Sequence, residues 1–221
     1  MKERGGLFGG YFMFDGAVTP ALHGRIFTSL AGGTLRYEGG TWAGDPLELD
    51  TPNWVFNIRP LLLYRFQAGF LSLLPYSGLA VRFLDDNLSA NYEGGYERQN
   101  TYIYSPIGVE AAAQAGAWTL GAGGEFNLFW RGINRNVGIP VDSYHKEDVT
   151  LEQTGGYGLQ VSLFARAQVS PAIALGIEPY VYYWDINKSG AKTIHTYQGK
   201  MEIFEPANNS LAFGMRCSLA W

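Results

Sequence analysis

Arginine and glutamate side chains recur in the middle of segments whose other positions alternate between apolar and small or polar residues. The residues with this placement are Arg59, Arg65, Arg82, Glu110, Glu125, Arg131, Arg166, Glu178 and Arg216. Charged groups of this kind need either an ion-pair partner or water. We therefore expect one of two arrangements: an ion-pair network that fills a narrow interior, or a water-filled path whose surplus of arginine favours anions.

Large aromatic side chains are predicted on the same faces as these charges. They are Tyr76, Tyr102, Tyr104, Tyr180, Tyr182 and Trp184. Such rings could narrow a pore or stack on a sugar, but on an enclosed face we expect them mainly to fill space.

Residues that could support catalysis are few and poorly placed. His23 falls in a short connection, whereas His145 and His195 fall in long ones. His145 stands close to Asp142 and Ser143, but neighbours in a long loop have no fixed geometry between nucleophile and base. The sequence has one cysteine, no cluster of metal ligands and no phosphate-binding loop. We therefore predict no catalytic residues, no metal site, no cofactor and no enzyme activity.

The composition predicts one folded domain over residues 1–221. Aromatic residues make up 15% of the chain and charged residues 16%, which argues against disorder and against an ordinary cytosolic enzyme. The formal net charge of -4 argues against nucleic acid as the main partner. No apolar run reaches the roughly 18 residues that a membrane helix requires, so any membrane span must use strands.

Period-two alternation is the dominant pattern of the sequence. From Trp118 to Trp130 every second residue is apolar or small, and the same alternation runs through residues 157–169, 173–184 and 211–221. These runs are longer than most strands of soluble proteins and suit tilted strands that cross a bilayer.

Tryptophans mark the ends of the apolar faces. Trp118, Trp130 and Trp221 are predicted to form part of an aromatic girdle at the edges of a membrane. The soluble alternative is a lipocalin-like barrel or a sandwich, which would place its charges outside and its apolar face inside. Charge in the middle of the opposite face instead favours a membrane barrel.

Short and long connections alternate along the chain. Short ones are predicted near residues 67–69, 114–117 and 170–171 with a somewhat longer one at 18–24, and long polar ones at 38–53, 85–100, 132–154 and 187–209. This asymmetry is typical of outer-membrane barrels, whose long loops lie outside the cell. Fifteen of the 20 acidic residues fall in or beside the long connections, so the outer rim is predicted to be negative.

Four segments carry a resemblance to a known group of proteins. They are PYSGLAVRFLDD (75–86), GYERQNTYIYSPIG (95–108), EPYVYYWDINKS (178–189) and EPANNS (205–210). Together they resemble little-characterised bacterial outer-membrane β-barrel proteins, a small porin-like group that ends in an aromatic residue. The resemblance covers most of the chain from Pro75 onward and identifies a barrel type rather than an activity. It also implies one further strand before residues 1–5, which would place those residues in the first outer loop.

The predicted fold is all-β, a transmembrane antiparallel β-barrel of eight to ten strands. We count nine strands, with the first running inward from outside, whereas bacterial barrels normally have even counts and both termini inside. Either a tenth, N-terminal strand is missing from this chain, or residues 7–17 are not a wall strand and the barrel has eight. We favour the ten-stranded architecture.

The expected location is the bacterial outer membrane, with the lipid bilayer and lipopolysaccharide as surroundings. Trp221 resembles the aromatic end that barrel proteins present for membrane assembly, which implies the barrel-assembly machinery as a partner. The function that we favour is a small passive pore or solute-binding channel with an arginine-rich interior. The alternative is a plugged, non-enzymatic barrel that acts as an envelope scaffold or surface-interaction protein. The sequence names neither a solute nor a protein partner.

Overall fold

The computed structural model describes residues 2–41, 44–142, 145–196 and 199–221, which are mostly β-strand. In chain order the strands are β1 (Lys2–Gly5), β2 (Phe8–Ala17), β3 (Leu22–Gly40), β4 (Pro46–Tyr64), β5 (Phe66–Ala68), β6 (Leu71–Gly78), β7 (Ala80–Asn87), β8 (Glu97–Ala115), β9 (Trp118–Pro140), β10 (Lys146–Gln153), β11 (Gly156–Ser170), β12 (Ile173–Ile186), β13 (Lys192–Thr196), β14 (Gly199–Ile203) and β15 (Asn208–Ala220). Within these ranges no helix is long and apolar enough to cross a membrane. The all-β prediction is confirmed.

Thirteen of the strands form one antiparallel sheet. Its order is β1-β3-β4-β6-β8-β9-β11-β12-β15; β2 also pairs with β3, β7 lies between β4 and β8, β10 pairs with β9, and β5 pairs with β6. The pairs β1/β2, β6/β7 and β10/β11 each continue one line of the wall, so the described residues form nine wall strands. Residues 8–17 pair with β3 along their whole length, and the eight-stranded alternative is therefore wrong.

Connections at the two ends of the wall differ as the sequence predicts. At one end, which we call the turn end, short turns join the strands near residues 18–21, 116–117 and 171–172. The opposite end, the loop end, has longer connections, but much of the polar sequence there is strand. β9 and β10 continue to Pro140 and from Lys146, so the connection predicted over residues 132–154 is mostly a paired hairpin. The polar residues of this segment were predicted to form a loop, but exposed strands can also be polar when their charged side chains pair with one another.

The outer face of the wall carries a broad apolar belt. Its exposed side chains include Phe12, Leu30, Leu62, Leu163 and Phe213. The belt reflects the period of two, because alternate residues of a strand point to opposite faces.

A charged collar lies beyond the belt, towards the loop end, where the strands continue. Its exposed ion pairs join Arg36 to Glu48 at 2.9 Å and Arg135 to Asp148 at 2.8 Å. The outer face thus changes from apolar to charged along the same strands.

The edges of the sheet, β2 and β15, do not pair with each other in the described residues. They run in the same direction, because seven strands of alternating direction separate them in the wall. The sheet nevertheless encloses an interior: Arg216 on β15 lies 5.3 Å from the ring of Phe27 on β3, and Arg98 on β8 contacts Glu3 on β1. We call the gap between β2 and β15 the seam. A tenth strand, antiparallel to both edges, stays a prediction.

A separate hairpin of β13 and β14 lies in the last long connection. Ile194 on β13 is buried in a cluster with Ile139 on β9, with Val141, which follows β9, and with Val149 and Leu151 on β10. The apolar contacts show that this part of the loop end is packed structure rather than irregular chain.

Candidate functional site

The barrel interior near the turn end is filled by ion pairs. Arg25 donates from Nε to Asp15 Oδ1 at 2.6 Å and also contacts Glu110 across the interior. Arg216 donates to Glu178 at 2.8 Å between neighbouring strands. The sequence analysis placed Glu110, Glu178 and Arg216 on the interior face but missed Arg25 and Asp15, because the glycine-rich first strands gave no clear facing. The alternation of β4 is clearer. Because Arg25 pairs with Leu61 on β4, and Asp15 pairs with Arg25, the facing of β4 carries over to both residues.

The middle of the interior holds an ion pair that is more buried than those at the turn end. Arg59 on β4 contacts Glu125 on β9, and both residues are less than 10% exposed. Tyr76 donates its hydroxyl to the same carboxylate at 2.8 Å. Glu125 thus links three wall strands that are not all neighbours, which braces the barrel across its width.

A cluster of aromatic rings lies in the interior on the loop-end side of this pair. Trp184 packs edge-to-face against Tyr104 with ring centroids 5.1 Å apart, and Tyr102, Phe129 and Tyr182 surround the same indole. We call these five residues the aromatic plug. Trp184 is 2% exposed, so the plug leaves its central ring almost no contact with solvent. Phe129 is the member that the sequence analysis did not single out.

A second charged cluster lies beyond the plug, at the loop end. Arg98 donates from Nε to Asp86 at 2.8 Å and contacts Glu3. Arg98 and Asp86 were not predicted to lie in the interior, because residues 85–100 were predicted to be a polar connection. Nearby, Glu205 is buried in the connection before β15, and this burial raises the pKa of its carboxyl group although the positive charge of Arg98 opposes the shift.

Two arginines that the structure places in the interior make no ion pair with a described residue. Arg82 has its guanidinium carbon 5.3 Å from the centroid of the Tyr182 ring and 5.9 Å from that of Trp184. Arg166, nearer the turn end, has its guanidinium carbon 4.7 Å from the Phe164 ring. Tyr180 holds Arg216 in the same way at 4.2 Å.

Arg131 lies on the outer face, in contrast to the predicted interior position. A bulge causes the difference: Ile103 pairs with Arg131 while the next residue, Tyr104, pairs with Phe129. The extra residue on β9 exchanges the two faces of the strand from there onward. Arg131 therefore belongs to the charged collar, where its exposed side chain bonds Glu152.

Arg65 also differs from its predicted place. It follows the end of β4 at the turn end, where its side chain is exposed and its backbone N–H donates to the carbonyl of Ala21 at 2.7 Å. Its position beyond the last strand residue removes it from the enclosed interior.

The predicted girdle residues Trp118, Trp130 and Trp221 lie on the outer surface with at least half of each residue exposed. Trp130 donates its indole N–H to Ser105 Oγ at 3.0 Å. Trp118 and Trp130 lie towards opposite ends of the apolar stretch of β9.

His145 and Asp142 form an exposed hydrogen-bonded pair, with Nδ1 2.8 Å from Oδ2. Ser143, which was considered with them, lies outside the described residues. No group of three or more histidine, cysteine, aspartate or glutamate residues in the described ranges could hold a metal ion.

Comparison with known proteins finds similarity in structure rather than in sequence. No protein-family model matches the sequence, and a search of characterised proteins finds no match. The chain is similar to the crystal structure of the toluene transporter TodX from Pseudomonas putida, with a TM-score of 0.44 and 11% sequence identity. The similarity covers 94% of this chain and 63% of the TodX chain, so this chain spans less than two thirds of that protein.

Proposed function

We propose that this protein is a bacterial outer-membrane barrel whose interior is a narrow solute path, closed in this conformation by the aromatic plug. The observation that carries the proposal is the order of layers along the interior. Polar groups lie on both sides of the plug, with Glu125 and Arg59 towards the turn end and Asn134 bonded to Gln153 towards the loop end. One layer of rings therefore separates two polar compartments.

Unpartnered polar atoms support a wet interior. Both side-chain polar atoms of Asn127 lie buried without a protein partner, as do Nε of Arg59 and Oε1 of Glu125. Buried polar groups in folded proteins are nearly always satisfied by protein or water. Water beside the plug would satisfy these atoms, and water in the interior is what a solute path requires.

The membrane location is supported by the outer face. The apolar belt would be unfavourable in water, and its size exceeds the isolated apolar side chains that soluble surfaces carry. The bilayer would cover the belt, and the charged collar would lie among lipopolysaccharide head groups. Cell fractionation after expression behind a signal sequence tests this location, which recovery of a detergent-free soluble monomer would overturn.

The C-terminal strand supports a role for the barrel-assembly machinery. Trp221 follows β15 and is 87% exposed, so its ring is available to another protein during insertion. Replacing Trp221 by alanine should lower the fraction of protein that assembles in cells, measured as protease-resistant barrel in the outer membrane. An unchanged assembled fraction would contradict a role for the barrel-assembly machinery at Trp221.

Single-channel recording in planar bilayers tests the solute path. The wild-type protein should show rare or no conductance steps, because the plug is closed. Trp184→Ala should produce reproducible steps, since it removes the central ring of the plug. Trp130→Ala is the matched control, because it deletes the same side chain from the outer face, and it should leave the conductance unchanged.

A second candidate function is favoured by the packed loop end. The β13–β14 hairpin and the β9–β10 extension form an ordered surface beyond the belt, which suits a plugged barrel that binds other envelope components. If Trp184→Ala is as silent as the wild-type protein, this scaffold or surface-interaction role replaces the solute path.

A further inference from the structure

We propose that Arg82 and Trp184 form a binding site for a small anion inside the barrel, beside the aromatic plug. The proposal goes beyond the solute path, because an anion can bind here whether or not a continuous path exists. It concerns small anions, such as a halide or a simple carboxylate, because the centroids of two aromatic rings already lie 5.3 and 5.9 Å from the guanidinium carbon.

The first observation is an uncompensated charge. Arg25, Arg59, Arg98 and Arg216 each contact at least one carboxylate in the interior. Arg82 contacts none among the described residues, although it lies between the central pair and the loop-end cluster along the interior. Arg82 is partly buried, and burying part of a guanidinium is favourable only if a counter-charge or polar groups compensate the loss of water.

The second observation is a set of donors without acceptors. Nε and Nη1 of Arg82 are buried and have no hydrogen-bond partner among the described residues, and the same holds for Nε1 of Trp184. Guanidinium and indole nitrogens only donate hydrogen bonds, so another donor cannot satisfy them. The guanidinium carbon lies 5.9 Å from the centroid of the Trp184 ring, so the two side chains are neighbours. A ligand held by these nitrogens must therefore be a hydrogen-bond acceptor.

Asn127 adds a third polar group to this neighbourhood. Gly158 pairs with Asn127 on one side and with Trp184 on the other, so the three residues share one level of the wall. The indole lies over Gly158, where an added Cβ would come within 2.9 Å of its Cε3 atom. The glycine lets the ring reach towards Asn127, whose amide nitrogen is buried and unpartnered. That amide can donate to the same ligand.

An anion fits these groups better than water alone. Water could accept a hydrogen bond from the indole or the guanidinium, but it brings no negative charge. The rings of Tyr182 and Trp184 offset part of the charge through cation–π contacts, and an anion would offset the remainder. The ligand is therefore expected to carry a negative charge.

Arg166 provides a matched control. It is also an interior arginine without an ion pair among the described residues, and its guanidinium also lies over a ring. Its nitrogens do not appear among the buried unpartnered atoms of the described residues. A general effect of positive charge would involve both arginines, whereas a built site involves Arg82 alone.

Chloride-35 NMR on the detergent-solubilised full chain tests the site, because chloride that exchanges with a protein site broadens the signal. The excess linewidth of the wild-type protein should saturate with chloride concentration and be displaced by bromide. Arg82→Gln should remove at least half of it, and Trp184→Phe, which keeps a ring but loses the donor, should weaken binding several-fold. Arg166→Gln should match the wild-type protein.

Folding is checked separately, so that a variant that fails to fold is not mistaken for one that folds but no longer binds chloride. Arg82→Lys keeps the charge and should retain more chloride binding than Arg82→Gln. The two variants are compared only if their circular dichroism spectra match that of the wild-type protein. Equal broadening in the wild-type protein and Arg82→Gln would overturn the proposal. Equal losses in Arg82→Gln and Arg166→Gln would also overturn it, because they would show only a general attraction of chloride to positive charge.

Discussion

The charge pairs of the barrel interior and those of the outer collar have the same chemistry but different surroundings. Arg59 and Glu125 are buried between wall strands, whereas Arg131 and Glu152 each leave about half of the side chain exposed (10% and 2% against 50% and 52%). The comparison teaches that burial, rather than the pairing of an arginine with a glutamate, sets how much such a pair matters. A buried partner cannot be replaced by water, and an exposed one can.

The largest effect is expected where the interior pair is broken. Glu125→Gln should lower the free energy of unfolding by about 3 to 5 kcal/mol, because it leaves the Arg59 guanidinium buried without its counter-charge. Urea titration of the protein in lipid vesicles, followed by tryptophan fluorescence, measures the loss. Glu178→Gln is the control: its pair with Arg216 is more exposed, so the loss should be smaller. Equal losses would mean that the interior is as wet at its centre as at its turn end.

The second effect concerns an arginine placed in the belt instead of the collar. Leu163 lies on the outer face of β11 and is 60% exposed, so Leu163→Arg should put a charge into lipid at a cost of about 2 to 4 kcal/mol. Gln160→Arg is the matched control on the interior face of the same strand, where Glu125 is its neighbour on β9. Folding yield into vesicles should fall for the first variant and remain near wild type for the second. Equal yields would contradict the assignment of the two faces.

A smaller effect is expected for the buried carboxyl group at the loop end. Burial raises the pKa of Glu205, so the folded state prefers the protonated form more than the unfolded state does. This contribution is fully present below the ordinary glutamate pKa, and it is lost as the pH rises through the raised value. Hydrogen exchange of the Ser189 and Glu205 amides should therefore become faster between these two pKa values, beyond its intrinsic pH dependence. Glu205→Gln should abolish the additional change, and a wild-type response in that variant would assign it to another group.

The smallest effect is expected in the collar. Arg131→Gln should change the free energy of unfolding by about 0 to 1 kcal/mol, because its pair with Glu152 is exposed and easily replaced by water. The same variant should leave any conductance of Trp184→Ala unaltered, since the side chain lies outside the interior. The double variant recorded in planar bilayers checks this. A clear change in conductance would mean that the Arg131 side chain faces the interior.

Much of the fold could be predicted from alternation alone, because a strand that separates two environments must repeat every two residues. The facing of Leu163, Tyr104 and Trp184 follows from that rule, and so does the count of nine wall strands. The rule fails where one residue is inserted. The bulge on β9 reversed the faces beyond Trp130, and nothing in the local sequence distinguishes Arg131 from an interior arginine.

The sequence by itself therefore determined the all-β architecture, the apolar outer face and most of the interior side chains, since these depend on residue type and spacing along one strand. Only the tertiary structure decided which charges meet. Arg25 meets Glu110, and Arg98 meets Glu3, although these partners stand 85 and 95 positions apart in the chain. Such pairings depend on how far the sheet curves and on strand register, both of which arise from the packing of all the strands together. The same curvature brought Arg82 to Trp184 and left the two edge strands with their unpaired seam.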